Sequence, residues 1–396
     1  MMRWQTGLGV VLGLLAGAAI LALTGGGGGT TPPPASGPIL SECDGRLDEL
    51  VIHYEPSARD HVIPVYRDFL SALASDVSVQ VVCPGVAAFN ELSTALGDVR
   101  CRLTPVVVDH PITTWSRDRW VALAPTASNR HTTLLSPRGE AAEEIWAARA
   151  GDERVGNDLA AAMESSVRAR RSELYFDGGD YLADSEHVFV VARVLPRNIQ
   201  HTVGSREELL HILGCELKRG IILLDESPDH HAGMFMASVG QRRMLVGDPS
   251  LGRKYVSAAG AADGGSVPDG FMNLPGGADF TAPTQRRFDA VASQCQAAGY
   301  QVIRIPVVPA HDGRTYLTYA NVLIDQQAIG RIVYLPFYRG AEPLNAAARA
   351  VWEGLGYVVS PVDCTSIYRH FGCLHCLVNV LKRHPCPANE RLDGVK

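Results

Sequence analysis

The chain has 396 residues, 46% of them hydrophobic and 20% charged, a profile that excludes a disordered or fibrous protein and fits one large domain or two ordinary ones. A formal net charge of −6 gives no overall basic footprint for nucleic acid. The short basic run Arg168, Arg170, Arg171 reads as the solvated face of a helix rather than as a binding patch.

In chain order, Arg3 precedes an uncharged apolar run from Gly7 to Thr24, which reads as an export signal. At about 18 residues it lies at the lower limit for spanning a bilayer. A cleaved signal peptide and an uncleaved anchor are both open, the anchor being favoured because no small-x-small cleavage site stands before the polar segment. No cysteine follows to carry a lipid. Residues 25–42 are expected to form a Gly/Pro-rich linker, with one folded domain over 43–396, held at the periplasmic or extracellular face.

Short β-branched apolar stretches then alternate with stretches of helical period. The strands are expected in ELVIHYEP, VSVQVVCP, LTPVVVDH, HVFVVARV, GIILLD, RRMLVGD, YQVIRIPVV, RIVYLPF and GYVVSPV. The helices are expected at Val65 to Leu73, Glu143 to Arg168, Arg287 to Ala298 and Asn345 to Gly354. This is an α/β pattern. Two stretches repeat one another: AAGYQVIRIPVV and GLGYVVSPVD are each a helix end, a glycine stop and an apolar strand. The Gly-rich stretch Ala258 to Pro283 reads as a long surface loop.

Nine cysteines form an odd total: Cys43, Cys83, Cys101, Cys215, Cys295, Cys364, Cys373, Cys376 and Cys386. In an oxidising compartment most would pair and one would remain, either inert in a buried site or kept free because it reacts. FGCLHCLVNVL sets Cys373 and Cys376 three residues apart with His375 between them. A zinc site there lacks a further ligand at metal spacing, because no second CxxC or HxxxH exists. His230 and His231, adjacent on an expected extended strand, would point to opposite faces and not chelate together. No metal or other cofactor is called for.

Further candidates precede it. Asp118 stands at a strand–loop junction in TTWSRDRWVAL, Asp177 before a Gly-Gly turn in LYFDGGDYL, and His231 in DHHAGMFMASV. Singly, each has a structural explanation: a surface ion pair, a tight turn, a satisfied histidine. Taken together and in order, Trp115 to Asp118, Asp177 to Gly179, His231 to Phe235, Thr318 to Asn321 and Gly372 to Cys376 resemble the guanidino-group modifying superfamily. Within it, agmatine deiminase and bacterial-type peptidylarginine deiminase resemble the chain most, from about residue 45 to residue 385.

The resemblance implies a pentein fold, a pseudo-five-fold α/β propeller of ββαβ units with one central site. It also implies a hydrolase of guanidino compounds, free or as peptidyl arginine, that releases ammonia and leaves a ureido product. Cys376 would be the nucleophile, His231 the acid–base, Asp118 the guanidinium clamp and Asp177 the group that orients His231. Trp115, Arg117 and Asn321 would line the pocket with Gly233. Pairing of Cys373 with Cys364 or Cys386 would leave Cys376 free. Two departures stand out: the family's E-G-G glutamate is Asp177, and its H-x-D aspartate is Gly233. The second removes a carboxylate from the guanidinium clamp, for which Asp180 or Asp229 could substitute. Amidino transfer to another amine, or binding without turnover, are the alternatives on the same fold.

Overall fold

The structure is a computed structural model that describes residues 36–139, 147–262, 274 and 276–385. Its first sheet is built from β1 (Arg46–His53), α1 (Arg59–Ala72), β2 (Ser78–Cys83), α2 (Val86–Leu96) and β3 (Arg102–Val107). Next come β4 (Val121–Leu123), β5 (Thr132–Ser136), α3 (Ala147–Ala162) and β6 (Val167–Arg171). They are followed by β7 (Tyr181–Ala183), β8 (His187–Val190), α4 (Val194–Asn198), α5 (Arg206–Leu217) and β9 (Gly220–Leu223). The next group is β10 (Met236–Gly240), β11 (Arg243–Asp248), α6 (Pro249–Ala262), α7 (Ala282–Ala297) and β12 (Gln301–Pro306). A small hairpin, β13 (Val308–Pro309) and β14 (Tyr316–Leu317), precedes β15 (Leu323–Gln327), β16 (Gly330–Phe337), α8 (Glu342–Gly354) and β17 (Tyr357–Asp363). The last elements are α9 (Leu374–Leu377) and β18 (Val378–His384).

One pairing scheme recurs. In β4-β5-β6, β7-β8-β9, β10-β11-β12 and β15-β16-β17 the first two strands are antiparallel and the third is parallel to the second. At least one helix lies in each parallel crossover, as a parallel pair requires. The sheet β18-β1-β2-β3 repeats the scheme with its antiparallel partner drawn from the other end of the chain. Strand β2, flanked by β1 and β3, is buried at all six positions, including the polar Ser78 and Gln80.

The two repeated stretches fall on β12 and β17, the third strands of their sheets, each entered through a glycine with positive φ, Gly299 at 85° and Gly356 at 80°. A side chain with a β-carbon is disfavoured there, which fixes the sharp turn from helix to strand.

Several expectations shift. The helix expected over Glu143 to Arg168 ends at Ala162; Ser166 donates back to Met163 O at 2.8 Å, and Arg168 to Arg171 lie on β6. The arginine run is therefore a strand, with Arg168 and Arg170 alternating away from Arg171. The flanks of the Gly-rich stretch are helical, α6 to Ala262 and α7 from Ala282. Residues expected in the linker are part of the folded body: Gly37 and Leu40 donate to Ala124 O and Ala122 O, and Ile39 is 2% exposed. The expected export segment lies outside the described residues; among those described, no helix is long and apolar enough to cross a membrane.

Candidate active site

The short helix α9 runs directly into β18 and carries Cys376, which is 3% exposed. Gly372 precedes it against Trp115: a β-carbon at 372 would lie 2.5 Å from Trp115 Cζ3. Trp115 itself packs against both of the larger core clusters, so the helix is set down where they meet. The amide of Cys376 closes the turn onto Cys373 O at 3.1 Å, and the amide of Arg117 donates to Cys376 O at 3.3 Å.

Around Cys376 Sγ lie His231 Nδ1 at 3.9 Å, Asn321 Nδ2 at 3.5 Å and Met234 Sδ at 4.0 Å. His231 begins a 3-10 turn, Ala232–Met234, just before β10, and its amide donates to Asp229 Oδ1 at 3.2 Å. It does not sit on an extended strand as expected: the His230 and His231 rings lie face to face, 4.1 Å apart and tilted by 37°. Asn321 joins the two segments, because its side-chain oxygen accepts from the His375 amide at 2.8 Å while its nitrogen faces the thiol. A β-carbon at Gly233 would lie 3.2 Å from Asn321 Nδ2, so Gly233 too belongs to this pocket.

Asp118 reaches the same group from the loop before β4. Its Oδ1 is 3.9 Å from His231 Nε2, and both of these buried atoms lack a hydrogen-bond partner among the described residues. Its Oδ2 accepts from Arg149 Nη1 at 2.5 Å. Cys376, His231, Asn321, Gly233 and Asp118 are thus brought together, with Trp115 behind them.

Two further expected site residues are engaged by other partners, Asp177 while lying within 4.8 Å of His231. Asp177 makes no hydrogen bond to His231; Arg119 donates to its Oδ1 at 2.8 Å, and Arg149, Arg193 and Arg197 also pair with it. Burial pushes the Asp177 carboxyl up, but Arg149 and then Arg193, Arg197 and Arg119 outweigh it and hold the group far below the usual carboxylate range. Arg117 turns from the thiol toward Glu42, with which it forms a buried ion pair, and donates to Tyr181 O at 3.1 Å. Burial raises Glu42, yet Arg117 and His375 bring it down to about 2.

The candidate substitutes for the missing carboxylate are also engaged. Asp180 pairs with Arg193 Nε at 2.7 Å and accepts the Asp177 amide at 2.6 Å. Asp229 pairs with His230.

Cys376 and His231 rest in their neutral forms. Burial pushes the Cys376 thiol up to about 12, and burial, then His230 and Arg193, hold His231 well below its ordinary value. Burial dominates because both groups are shut away from water while no cation stands directly on the sulfur.

Among the described residues, Asp177, Asp180 and His231 form a trio whose ligand atoms lie within 4.8 Å of one another. It does not fit a cation, since four guanidinium groups already neutralise its two carboxylates. Nor do Cys373, His375 and Cys376 converge: Cys373 Sγ meets Tyr338 OH at 3.4 Å and His375 Nε2 faces Glu42 Oε2 at 3.2 Å. The eight described cysteines are free thiols, and Cys386, the other expected partner of Cys373, lies outside the described residues.

Sequence reasoning missed Arg149, Arg119, Arg193, Arg197 and Glu42. Arg149 and Arg193 meet Asp177 from 28 and 16 residues away, with no motif to mark the pairing.

No family model and no curated protein matches the sequence. Solved structures do. The chain is similar to a substrate-bound cysteine-to-serine variant of agmatine deiminase from C. jejuni, at a TM-score of 0.64 and 14% identity, over 87% of this chain and 96% of that one. It is also similar to the agmatine deiminase of Enterococcus faecalis, at 0.60 and 10%, over 87% and 96% respectively. The fold is therefore the mixed α/β fold of the agmatine deiminases, in agreement with the resemblance carried by the motifs.

Proposed function

We propose that the chain is a hydrolase of C–N bonds in guanidino compounds, with Cys376 as nucleophile and His231 as acid–base. The observation that carries the reading is the meeting of Cys376, His231, Asn321 and Asp118, from four distant segments, on a fold shared with agmatine deiminases. In this reading the five repeated strand groups close around a common axis, with these residues near its centre.

A guanidinium is planar and a poor electrophile, because its charge is spread over three nitrogens. Bound beside Cys376, it would lower the thiol pKa by its own charge, and neutral His231 would accept the thiol proton through Nδ1. The thiolate adds to the central carbon. Collapse of that adduct expels one nitrogen as ammonia, with the proton returned by His231. Water then adds to the remaining thioether carbon, again deprotonated by His231, and the C–S bond breaks to leave a ureido product and the free thiol. Asp118 Oδ1 is the open acceptor for a ligand N–H.

We place this activity outside the cytoplasm on the strength of the N-terminal apolar run, with no nucleic-acid partner. The decisive experiment incubates the protein with guanidino compounds, measures ammonia release and searches Cys376 for a covalent adduct by mass spectrometry. Ammonia release with the adduct on Cys376 supports the reading; an adduct on Cys373, or turnover that survives Cys376→Ser, overturns it.

A further inference from the structure

Around Asp118 and Asp177 the acids lie inside and the arginines outside. Side-chain exposure is 8% for Asp118, 5% for Asp177 and 0% for Asp180, against 15% for Arg149, 24% for Arg197 and 33% for Arg193. With Arg119 and Glu153, which pair with each other beneath them, each of the four acids is matched by an arginine, and Arg171 also lies 3.8 Å from Glu153. Solvent therefore meets the guanidinium groups of this cluster before its carboxylates. A dication such as agmatine finds no surplus negative charge to offset its desolvation.

Arg149 holds the key position. Its guanidinium spans Asp118 Oδ2 and Asp177 Oδ1, occupying on Asp118 the place a ligand guanidinium would take. Removal of Arg149 from Asp118 without a new anion would strand a buried charge. The exchange becomes neutral if the ligand brings both ions: its guanidinium takes Asp118, whose Oδ1 is buried and without a partner, and its carboxylate takes Arg149. Asp177 loses little, since Arg119, Arg193 and Arg197 remain on it.

We propose that the site selects a guanidino acid of zero net charge, with a carboxylate a few bonds from its guanidinium, and that Arg149 is the residue that receives the carboxylate. The proposal rests on the guanidino reading above but concerns binding, so it is separable from turnover.

The test uses a matched pair, 4-guanidinobutyrate and agmatine, which differ in carrying a carboxylate or an ammonium at the far end. Isothermal titration is done on the full chain as wild type, Arg149→Ala and Arg149→Ala/Asp118→Asn, with thermal melting as the check on folding; Arg149→Gln replaces Arg149→Ala if the latter unfolds. The wild type should bind the acid at least about ten-fold more tightly than agmatine, a difference of ~1.4 kcal/mol. Removal of Arg149 should abolish or reverse that preference, and the added Asp118→Asn should then weaken agmatine. Equal or tighter agmatine binding by wild type, no binding of either compound, or a preference that survives loss of Arg149 overturns the proposal. Binding with the expected preference but without ammonia release would sink the hydrolase reading and leave this one standing.

Discussion

The ring of His231 lies on Gly179: a β-carbon at position 179 would sit 2.5 Å from His231 Cγ and 2.6 Å from Cδ2, closer than real β-carbons approach. The glycine is therefore the floor on which the His231 ring, the proposed acid–base, rests. Its φ is not positive, so the backbone itself would accept alanine. Gly179→Ala should fold and should push the His231 ring off its line to Cys376, with a loss of turnover of about 10²-fold for a displacement near 1 Å. Ammonia release at unchanged melting temperature is the check; wild-type turnover would mean that the ring has room to move.

Cys376→Ser should bind ligand and fail to turn it over, with a loss of at least about 10³-fold, because a serine hydroxyl gives up its proton far less readily than a thiol, even beside a bound cation and His231. Titration of ligand into the variant measures the binding arm, and ammonia release the other.

Gly233→Asp tests the missing carboxylate. Position 233 has no positive φ, and its β-carbon would meet Asn321 Nδ2 at 3.2 Å and His375 Nδ1 at 3.4 Å, so the new side chain has the Asn321 amide donor at hand and a tight fit. An added charge in the buried pocket should tighten agmatine by about ten-fold or more. Titration that shows no gain in the folded variant means the new acid turns toward Asn321 and His375 rather than toward the ligand.

Glu42→Gln leaves Arg117 buried without its acid, and breaking a buried pair in this way costs about 3–5 kcal/mol. Glu42 itself is stabilising above its unfolded pKa, and that contribution should fade as pH falls from about 4.5 toward about 2. Denaturant melts of both proteins at pH 7 and pH 3 should show the gap between them narrow at the lower pH.

His53 and Asp152 lie 3.7 Å apart beneath the Asp118 loop, and burial shifts them in opposite senses, His53 down to about 4 and Asp152 up to about 7. For His53 the unfolded chain takes up the proton first, so its share of stability is present above 6.5 and lost as pH falls toward 4. For Asp152 the folded chain keeps the proton longer, so its share is present below 3.8 and lost as pH rises through 7. The two slopes oppose each other in the shared window. His53→Gln should expose the Asp152 slope, visible as a melting temperature that falls from pH 4 to pH 7; a flat profile would place the Asp152 proton elsewhere.

The strands were legible because β-branched runs such as SVQVVC are bounded by turn residues, and the repeat was legible because Gly299 and Gly356 stop helices at equivalent places. The arginines of β6 misled, since only Val167 and Ala169 alternate with them, too short a run to mark a strand without its pairing to β5. In the site, Cys376, His231, Asn321 and Asp118 each sit in a local motif. The charges that surround them do not: Glu42 meets Arg117 from 75 residues away, and only the folded chain sets them side by side.

The pairing of β18 with β1 has a consequence for how the molecule is made. Val51 lies opposite Asn379, and the whole antiparallel edge of β1 waits on residues that follow it by more than three hundred positions. A growing chain emerging from the ribosome can complete four of its strand groups while that edge is still open. Cys376 lies just before β18 and arrives with that closing strand, so no earlier folding stage holds the proposed nucleophile. Slow closure of so distant a contact leaves an exposed strand open to the wrong partner, and chaperone demand during synthesis should fall on β1.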